Sequence, residues 1–367
     1  MSAIIPLSSR RTAFGAALVR ERPRVALSLL GTGQVGGALL RQLAEDGGNF
    51  ARPRLVGLAN SRRALTDPTG IAPADALSRL SSEGGEPGLE APFAALREAA
   101  ADVRVMVDAT AAQEVAAHHA RWLACGVHVV SANKLALGGA LGDWEALRVA
   151  AAAGGTHYGD AATVGAGLPA LSTLHRLTRA GDALIALTGV FSGSLSFLFN
   201  AYDGRRPFSS LLTEARAHGY TEPDPRADLS GRDVARKLLI VGRAAGQPLE
   251  ERDIEVEDLV PASLRELTLE GFLSHLGELD AALERRRREA AAEGQVLRYV
   301  ARLQKGERAT VRLEALPPGH PCAQLSGADN LFAFTTRRYD LLVVRGPGAG
   351  PEVTAQALLA DVLDIVR

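Results

Sequence analysis

The chain has 367 residues, of which 47% are hydrophobic and 23% charged, a composition typical of a globular protein with a substantial core. Its net charge of −1 provides no overall field that would attract nucleic acid or an anionic membrane, and no apolar run reaches the roughly 18 residues of a membrane helix. Two cysteines cannot build a disulfide framework or a zinc site by themselves, so we predict a cytoplasmic protein with reduced thiols.

The N-terminal range 1–22 is basic and nearly free of acidic residues. This composition is typical of a transit peptide, and a disordered arm explains it equally well. Because alanine and arginine are abundant throughout the chain, we favour the disordered arm.

The stretch 25–44 predicts a strand, a glycine-rich turn and a helix. The apolar run Val25–Leu30 leads into the sequence GTGQVG, and apolar residues then recur at helical spacing. In a dinucleotide-binding fold such glycines allow a tight turn and close approach to the pyrophosphate, whose charge the helix N-terminus stabilises. We therefore assign six residues to a cofactor site: Gly31, Thr32, Gly33, Gln34, Val35 and Gly36.

The end of the next apolar strand indicates which cofactor binds. It lacks the acid that usually accepts hydrogen bonds from the ribose 2′-hydroxyl of NAD. Arginine can instead pair with the 2′-phosphate of NADP, which an acid would repel. We predict NADP(H) rather than NAD(H), unless the arginines merely solvate a loop, and we assign four residues to this part of the site: Asn60, Ser61, Arg62 and Arg63.

Two further predicted strands, 103–110 and 126–134, end in polar residues. Ligands collect at the carboxyl ends of strands in such a sheet, so we place Thr110 and Lys134 near the reactive end of the cofactor. Between these strands, His118 and His119 lie in a predicted helix, where packing or solvent contact is the favoured interpretation.

The composition changes after about residue 160. Gly165 and Gly167 form a predicted turn ahead of a helix near Pro169, and a later strand runs into Gly193-Ser194 and a short helix. Small residues at a turn allow a ligand to approach the backbone closely, and a plain tight turn is the alternative. A hairpin turning at Lys305-Gly306 is predicted further on.

The segment 217–240 is rich in carboxylates. Four of them are predicted to crowd toward Lys237, with Tyr220 alongside: Glu222, Asp224, Asp228 and Asp233. Asp233 and Lys237 have the i,i+4 spacing of an ordinary helix ion pair, worth about 0.2–0.5 kcal/mol. If they face a cleft instead, the carboxylates could hold a substrate ammonium group while the lysine polarises an oxygen.

Eight motifs in chain order resemble those of homoserine dehydrogenases: GTGQVGGALL, LANS, VDAT, SANK, TVGAGLP, GVFSGSLSFLFN, GYTEPDPRADLSGRDVARKLLI and RGPGAGPEVTA. In style they most resemble the dehydrogenase half of the bifunctional aspartokinase–homoserine dehydrogenases. The resemblance implies a reversible NAD(P)-dependent interconversion of L-homoserine and L-aspartate 4-semialdehyde, on the route to threonine and methionine. It also implies a homodimer in which the substrate domains pair their sheets.

The same resemblance implies roles for individual residues. The catalytic group would be Lys134, Lys237 and Asp233, and either lysine is placed to transfer a proton, a contribution of about 10²–10⁴-fold. Gly348 would lie beside the cofactor as the final helix returns to the nucleotide domain. Five residues would bind the substrate: Gly193, Ser194, Tyr220, Glu222 and Asp228.

One departure from the family pattern concerns a monovalent cation. Family members usually carry an acid three residues before the valine of VGAGLP, and here that position is Ala161, with Asp160 as the nearest acid. The carbonyl oxygens of the turn could still coordinate sodium, with the carboxylate misplaced or supplied by Asp160. The candidate ligands are the carbonyls of Val164, Ala166 and Leu168.

The predicted fold is α/β, with a Rossmann-type NAD(P)-binding domain at 23–160 and an α+β substrate and dimerisation domain at 161–335. A C-terminal segment at 336–367 would return to the first domain. Two other functions stay open. One is an inactive NADP-binding sensor; the other is a semialdehyde dehydrogenase, which needs a nucleophilic cysteine and has only Cys125 and Cys322 to supply it.

Overall fold

Two six-stranded sheets organise the part of the chain that the structure, a computed structural model, describes: residues 23–45 and 53–366. The predicted arm at 1–22 lies outside the described residues. Within the described ranges, no helix combines the length and apolar character that crossing a membrane requires.

The first sheet is parallel except at one edge, where β3 runs antiparallel to β2. Its strands are β1 (Val25–Leu30), β2 (Arg54–Ala59), β3 (Ala64–Thr66), β4 (Val103–Asp108), β5 (His128–Ser131) and β6 (Tyr158–Gly159). Their order is β3-β2-β1-β4-β5-β6. β1 is buried along its whole length, as expected for a parallel strand covered on both faces. The order changes direction between β1 and β4, so the loops after these two strands open onto one crevice.

In the described part of this half the helices are α1 (Gln34–Ala44), α2 (Ala76–Glu83), α3 (Glu90–Glu98), α4 (Gln113–Ala117), α5 (His119–Ala124) and α6 (Leu141–Gly154). The single helix predicted around His118 and His119 is therefore two short helices. They separate because the His118 N–H bonds the Val115 carbonyl at 3.1 Å, an i→i−3 contact tighter than the α-helical one.

The second sheet is mainly antiparallel, with order β12-β11-β7-β9-β10-β8. Its strands are β7 (Leu184–Val190), β8 (Ile254–Val256), β9 (Val296–Gln304), β10 (Ala309–Leu316), β11 (Asp329–Thr336) and β12 (Leu342–Pro347). The predicted hairpin is confirmed, because β9 and β10 pair antiparallel on either side of Lys305-Gly306. β8 was not predicted, and it pairs in parallel with β10, far along the chain.

The described residues after β6 form α7 (Ala170–Arg179), α8 (Gly193–Ala201), α9 (Phe208–Ala217), α10 (Arg226–Leu229), α11 (Arg232–Ala244), α12 (Ala262–Arg265), α13 (Leu269–Ser274), α14 (Asp280–Ala292) and α15 (Pro351–Val366). Helices α8, α11 and α14 pack on β9, with Phe332 and Phe334 of β11 buried in the same core. Short 3-10 turns occupy Ala161–Thr163, Glu251–Asp253, Leu276–Leu279 and Pro321–Gln324.

The last helix packs on the first sheet. α15 lies against α1, and its Leu358 and Val362 are buried with the side chains of β1. β12, however, belongs to the second sheet, so the chain returns to the first sheet after Pro347 and not at residue 336. The predicted α/β architecture with a Rossmann-type first sheet is confirmed.

Candidate active site

Two lysines from different halves of the chain meet at one carboxylate. Lys237 Nζ lies 2.7 Å from Asp233 Oδ2, and Lys134 Nζ lies 3.6 Å from Asp233 Oδ1. Lys237 is only 9% exposed and also donates a 2.7 Å hydrogen bond to the Phe191 carbonyl. The structure thus brings together the three residues that were assigned catalytic roles.

The start of α11 explains how this pair is held. Asp233 lies in the first turn, where the helix dipole favours a negative charge, and Lys237 follows one turn later. Gly231 caps the helix at a φ of +69°, and a Cβ there would lie 2.0 Å from the hydroxyl of Tyr299. Only glycine fits both that backbone conformation and that space.

The charge state of Asp233 follows from its neighbours. Burial in the cleft pushes the pKa of Asp233 upward, but the ammonium groups of Lys237 and Lys134 outweigh that effect and hold it below its usual value. Asp233 is therefore an ionised counterion shared by two lysines, and it fixes both ammonium groups around one space.

A second carboxylate organises the loop before α11. Asp228 accepts a 2.6 Å hydrogen bond from Ser194 Oγ and a 2.9 Å bond from the Glu222 backbone N–H. Burial raises the pKa of Asp228 above its usual value, against the lowering effect of the Ser194 bond. Gly193 and Ser194 begin α8, so three predicted substrate residues, Ser194, Glu222 and Asp228, are joined directly, with the Glu222 side chain exposed.

Asp224 of this segment is paired elsewhere, whereas Tyr220 packs on α8, the helix that contains Ser194. The prediction that Asp224 crowds toward Lys237 is wrong, because its carboxylate pairs with Arg226 at 2.6 Å and that guanidinium binds the Leu267 carbonyl. Tyr220 is 48% exposed and packs its ring on Phe197 with centroids 4.6 Å apart.

A cavity of about 880 Å³ opens over the glycine-rich turn. Gly31 has a φ of +90°, and a Cβ on Gly36 would lie 1.9 Å from the Gly31 carbonyl oxygen, so both positions need glycine. At Gly33 a Cβ would meet nothing within 4 Å, which leaves this backbone open to a ligand. Thr110 also lines the cavity, while Gln34 and Val35 begin α1 beside it.

The loop after β2 is shaped by one amide side chain. Asn60 donates to Thr32 Oγ1 at 3.0 Å, and its Oδ1 accepts the backbone N–H groups of Arg62 and Arg63, both at 2.9 Å. Ser61 faces the large cavity, and a smaller one of about 230 Å³ is lined by both arginines and by Ser81 of α2. The residues present therefore suit a dinucleotide, with two arginines lining the smaller cavity.

Gly348 lies against β11. A Cβ there would fall 2.0 Å from the side chain of Asn330, which is fully buried. Neither polar atom of the Asn330 amide has a hydrogen-bond partner among the described residues. A buried polar group without a partner is costly, so this amide marks a place where a ligand group could bind.

The predicted cation turn keeps only part of the expected ligand set. Ala166 has a φ of +55°, a strained value for a residue with a Cβ. The Leu168 carbonyl, between Val164 and α7, already accepts the Ala170 N–H at 2.7 Å. Among the residues described, no three histidine, cysteine, aspartate or glutamate side chains cluster to hold a metal ion.

The nearby carboxylates are engaged with other partners. Asp160 accepts from His175 Nε2 at 2.8 Å, and Asp361 of α15 accepts the Ala161 backbone N–H at 2.9 Å. Asp160 is therefore not a free replacement for the acid missing at Ala161, and the turn fits a cation less well than the family pattern does.

Neither cysteine joins the lysine cluster. Cys125 is exposed at the end of α5, and Cys322 is buried beside the second sheet. Burial raises the pKa of the Cys322 thiol to about 12, so a thiolate is scarce at neutral pH. A thiohemiacetal mechanism has no suitable nucleophile here.

Sequence reasoning missed three buried polar residues beneath Lys134, namely Asp108, His119 and Asn133. Asp108 and Asn133 end apolar strands in VDAT and SANK, and a polar residue at that position was the available signal. His119 gave none, because it sits among apolar helix residues.

Two family models match the chain. The model described as the NAD binding domain of homoserine dehydrogenase matches residues 31–159, and the one described as homoserine dehydrogenase matches residues 169–363. Together these matches cover the second sheet, the first sheet apart from β1, and the residues assigned to catalysis, substrate and cofactor, while the predicted cation turn at 160–168 lies between them.

Individual proteins agree with these matches. A bifunctional aspartokinase/homoserine dehydrogenase 1 of Zea mays is 42% identical over 94% of the chain, which spans only 38% of that protein. A homoserine dehydrogenase of Paracoccidioides brasiliensis is 36% identical, over 94% of this chain and 98% of its own length. A solved Candida auris protein of unknown function shares the fold, with a TM-score of 0.87 at 32% identity, covering 94% of this chain and 98% of its own.

Proposed function

The chain belongs to the homoserine dehydrogenase family, and from this premise we propose that it interconverts L-homoserine and L-aspartate 4-semialdehyde with NADP(H). The observation that carries the proposal is the pairing of Lys237 and Lys134 with one ionised carboxylate, Asp233. The cavity over the glycine-rich turn adjoins this cluster through Asn133, which bonds the Ala112 carbonyl in the cavity wall. The chain spans about two fifths of the plant relative, so the activity is our proposal for this chain by itself.

The side chains of the cluster supply proton transfer and orientation. A dinucleotide held over the GTGQVG turn and beside Arg62 would supply or accept the hydride at the substrate carbon. In the reducing direction a lysine ammonium stabilises the negative charge growing on the aldehyde oxygen and donates a proton to it. In the oxidising direction an unprotonated lysine accepts the hydroxyl proton. Asp228 and Glu222 would bind the substrate ammonium group, with Asp228 already oriented by Ser194.

A coupled binding and activity assay tests the proposal. We expect L-homoserine to reduce NADP in the presence of the purified protein, and Lys237→Ala to lower kcat by about 10²–10⁴-fold. Lys305→Ala, which removes a lysine from the exposed β9–β10 turn, should leave kcat unchanged. Tight NADPH binding without homoserine turnover would support the sensor alternative and overturn the proposal.

The same activity assay tests whether turnover depends on a bound monovalent cation. We propose that the carbonyls of Val164, Ala166 and Leu168 are the ligands of any bound sodium. Without a free carboxylate the site carries no formal charge, so binding should be weak and no catalytic step depends on it. Activity should change little when tetramethylammonium chloride replaces sodium chloride; a large loss would show that the cation is required.

We also propose a homodimer formed through the second sheet, and a cytoplasmic location. Val343 of the edge strand β12 is 40% exposed and pairs across the sheet with Ala333, which supports an apolar contact surface on that face. Both cysteines are free thiols, which suits a reducing compartment.

A further inference from the structure

A fully buried hydrogen-bond network lies beneath Lys134. Asp108, at the end of β4, and His119, at the start of α5, are both 0% exposed, and Asn133, next to Lys134, is 1% exposed. Buried polar groups persist where their partners are satisfied, and in such networks each bond constrains the others.

The two oxygens of Asp108 serve different loops. Oδ1 accepts the Thr110 backbone N–H at 2.8 Å, within the loop after β4. Oδ2 accepts Asn133 Nδ2 at 3.0 Å and His119 Nε2 at 3.0 Å. Removing the His119 imidazole therefore takes a donor from Oδ2, the oxygen that also holds Asn133. The bond from the Thr110 N–H to Oδ1 stays in place.

Asn133 transmits this restraint to Lys134. Its Nδ2 also donates to the Ala112 carbonyl at 3.0 Å, and its Oδ1 accepts the Leu135 N–H at 3.0 Å. Its own N–H is bound by Ser131 Oγ at 3.0 Å. The backbone is thus fixed on both sides of Lys134, whose ammonium group reaches Asp233.

The orientation of His119 is set from its other nitrogen. Nδ1 lies 2.9 Å from the hydroxyl of Tyr158 on β6. When Nε2–H donates to Asp108, Nδ1 is the acceptor and receives the Tyr158 hydroxyl hydrogen. Both ring nitrogens of His119 then have a partner. Burial raises the pKa of that hydroxyl, so it remains a donor throughout the working pH range.

We propose that His119, held by Tyr158, is a positioning residue that fixes Asp108 and, through Asn133, places Lys134 for proton transfer. The inference rests on the proposed function, in which a lysine of the cluster contacts the reacting oxygen, and it takes Lys134 to be that lysine. The neighbouring His118 offers a contrast, since both histidine rings pack on Trp122 but His118 makes none of the hydrogen bonds described for this network.

Three variants separate positioning from packing. His119→Leu removes the donor to Asp108, and we expect kcat with L-homoserine to fall about 10–100-fold, because small misplacements of a reacting group cost this much. His119→Gln keeps an N–H donor near the place of Nε2 and should restore most of kcat. His118→Leu is the matched control and should behave as wild type. NADPH affinity should change little in all three.

A double variant shows whether His119 acts through Lys134. In a Lys134→Ala background, His119→Leu should cause little further loss of kcat, since residues that act as one unit are not additive. Thermal unfolding of each variant is measured alongside. Where His119→Leu fails to fold, Tyr158→Phe carries the test, because it removes only the hydroxyl that orients the ring and should still lower kcat.

The outcomes are distinguishable. An active wild type with an equally active His119→Leu overturns this inference alone, as does a loss of kcat that multiplies with that of Lys134→Ala. A parallel loss of NADPH affinity also overturns it, because it would show general damage to the cleft. A wild type inactive on L-homoserine overturns the proposed function, and this inference falls with it.

Discussion

Two neighbouring arginines in the cofactor cleft differ in what already binds them. Arg63 donates to the Gly84 carbonyl at 3.2 Å, and a Cβ on Gly84 would lie 3.1 Å from its side chain. Arg62 is exposed and lines both the large cavity and the small one beside it. Arg62 is thus the better placed of the two to reach a 2′-phosphate. Arg63 instead holds its loop against the residue that follows α2, through its bond to the Gly84 carbonyl.

We expect Arg62→Ala to raise the KM for NADP about 10–100-fold, because a hydrogen bond to a charged group contributes roughly 1.5–3 kcal/mol. The KM for NAD should hardly change, since NAD has no 2′-phosphate. Steady-state kinetics with each cofactor measure both values.

Arg63→Ala is the matched control for this experiment, and its effect should be smaller. An equal rise in KM for NADP and NAD in Arg62→Ala would contradict the assignment, and so would a wild type that prefers NAD. Either result would return Arg62 to the role of a solvated loop residue.

Individual site residues could be predicted only where a local pattern or the family resemblance marked them. The glycines of GTGQVG follow from the demands of a tight turn, and the structure places them as expected. The meeting of Lys134 and Lys237 at Asp233 has no local signal, because it depends on how two sheets come together. His119 was missed for a related reason, since it lies on α5 and its partner Tyr158 lies on β6, 39 residues further along the chain.

At the scale of elements, one carboxylate ties the last helix to the turn after β6. Asp361 of α15 packs directly on Gly159, where a Cβ would lie 2.7 Å from its own Cβ, and accepts the Ala161 N–H. Burial raises the pKa of Asp361 to about 7, and the nearby Asp160 and Asp364 push in the same direction while His175 opposes them.

This shift has a definite sign for stability. The folded protein holds a proton on Asp361 that the unfolded chain releases near its ordinary pKa of 3.8, so the free energy of unfolding falls as pH rises from there to about 7. His175 adds to the trend. Burial lowers its pKa but the Asp160 carboxylate raises it more, and stability gained from a protonated histidine is lost as pH rises.

We expect the Tm of the wild type to fall between pH 5.5 and 8, and Asp361→Asn to flatten that dependence. The asparagine keeps an acceptor for the Ala161 N–H and has nothing to titrate. Glu289→Gln, which neutralises an exposed carboxylate on α14, should retain the wild-type slope. Calorimetry across the pH range makes the comparison, and an unchanged slope in Asp361→Asn would show that another group titrates.

The elements themselves were predictable where neighbours in sequence are neighbours in space. The apolar run Val25–Leu30 matches β1 exactly in its bounds, and the β9–β10 hairpin has its turn where Lys305-Gly306 predicts it. β8, at Ile254–Val256, was missed because so short a strand is stabilised by pairing with a distant one. The break between α4 and α5 depends on a single tight hydrogen bond, which no periodicity reveals.

At the scale of the whole molecule, the outer face of the second sheet is where association should occur. Helices cover one face, burying Phe332 and Phe334. On the other face Val343 is exposed beside Ala333, and Arg302 and Glu314 form an ion pair at 2.7 Å. An exposed apolar residue on a sheet edge risks uncontrolled pairing unless a specific partner covers it.

A homodimer through this face predicts a solution mass of twice the chain mass. We expect Val343→Arg to shift the mass measured by light scattering toward the monomer, because a charge buried in an interface without a partner is costly. Val149→Arg, on the exposed side of α6, introduces the same charge away from the sheet and should leave the dimer intact. Unchanged circular dichroism would show that Val343→Arg still folds. A dimer that persists in Val343→Arg would place the interface elsewhere, and a monomeric wild type would remove the proposal.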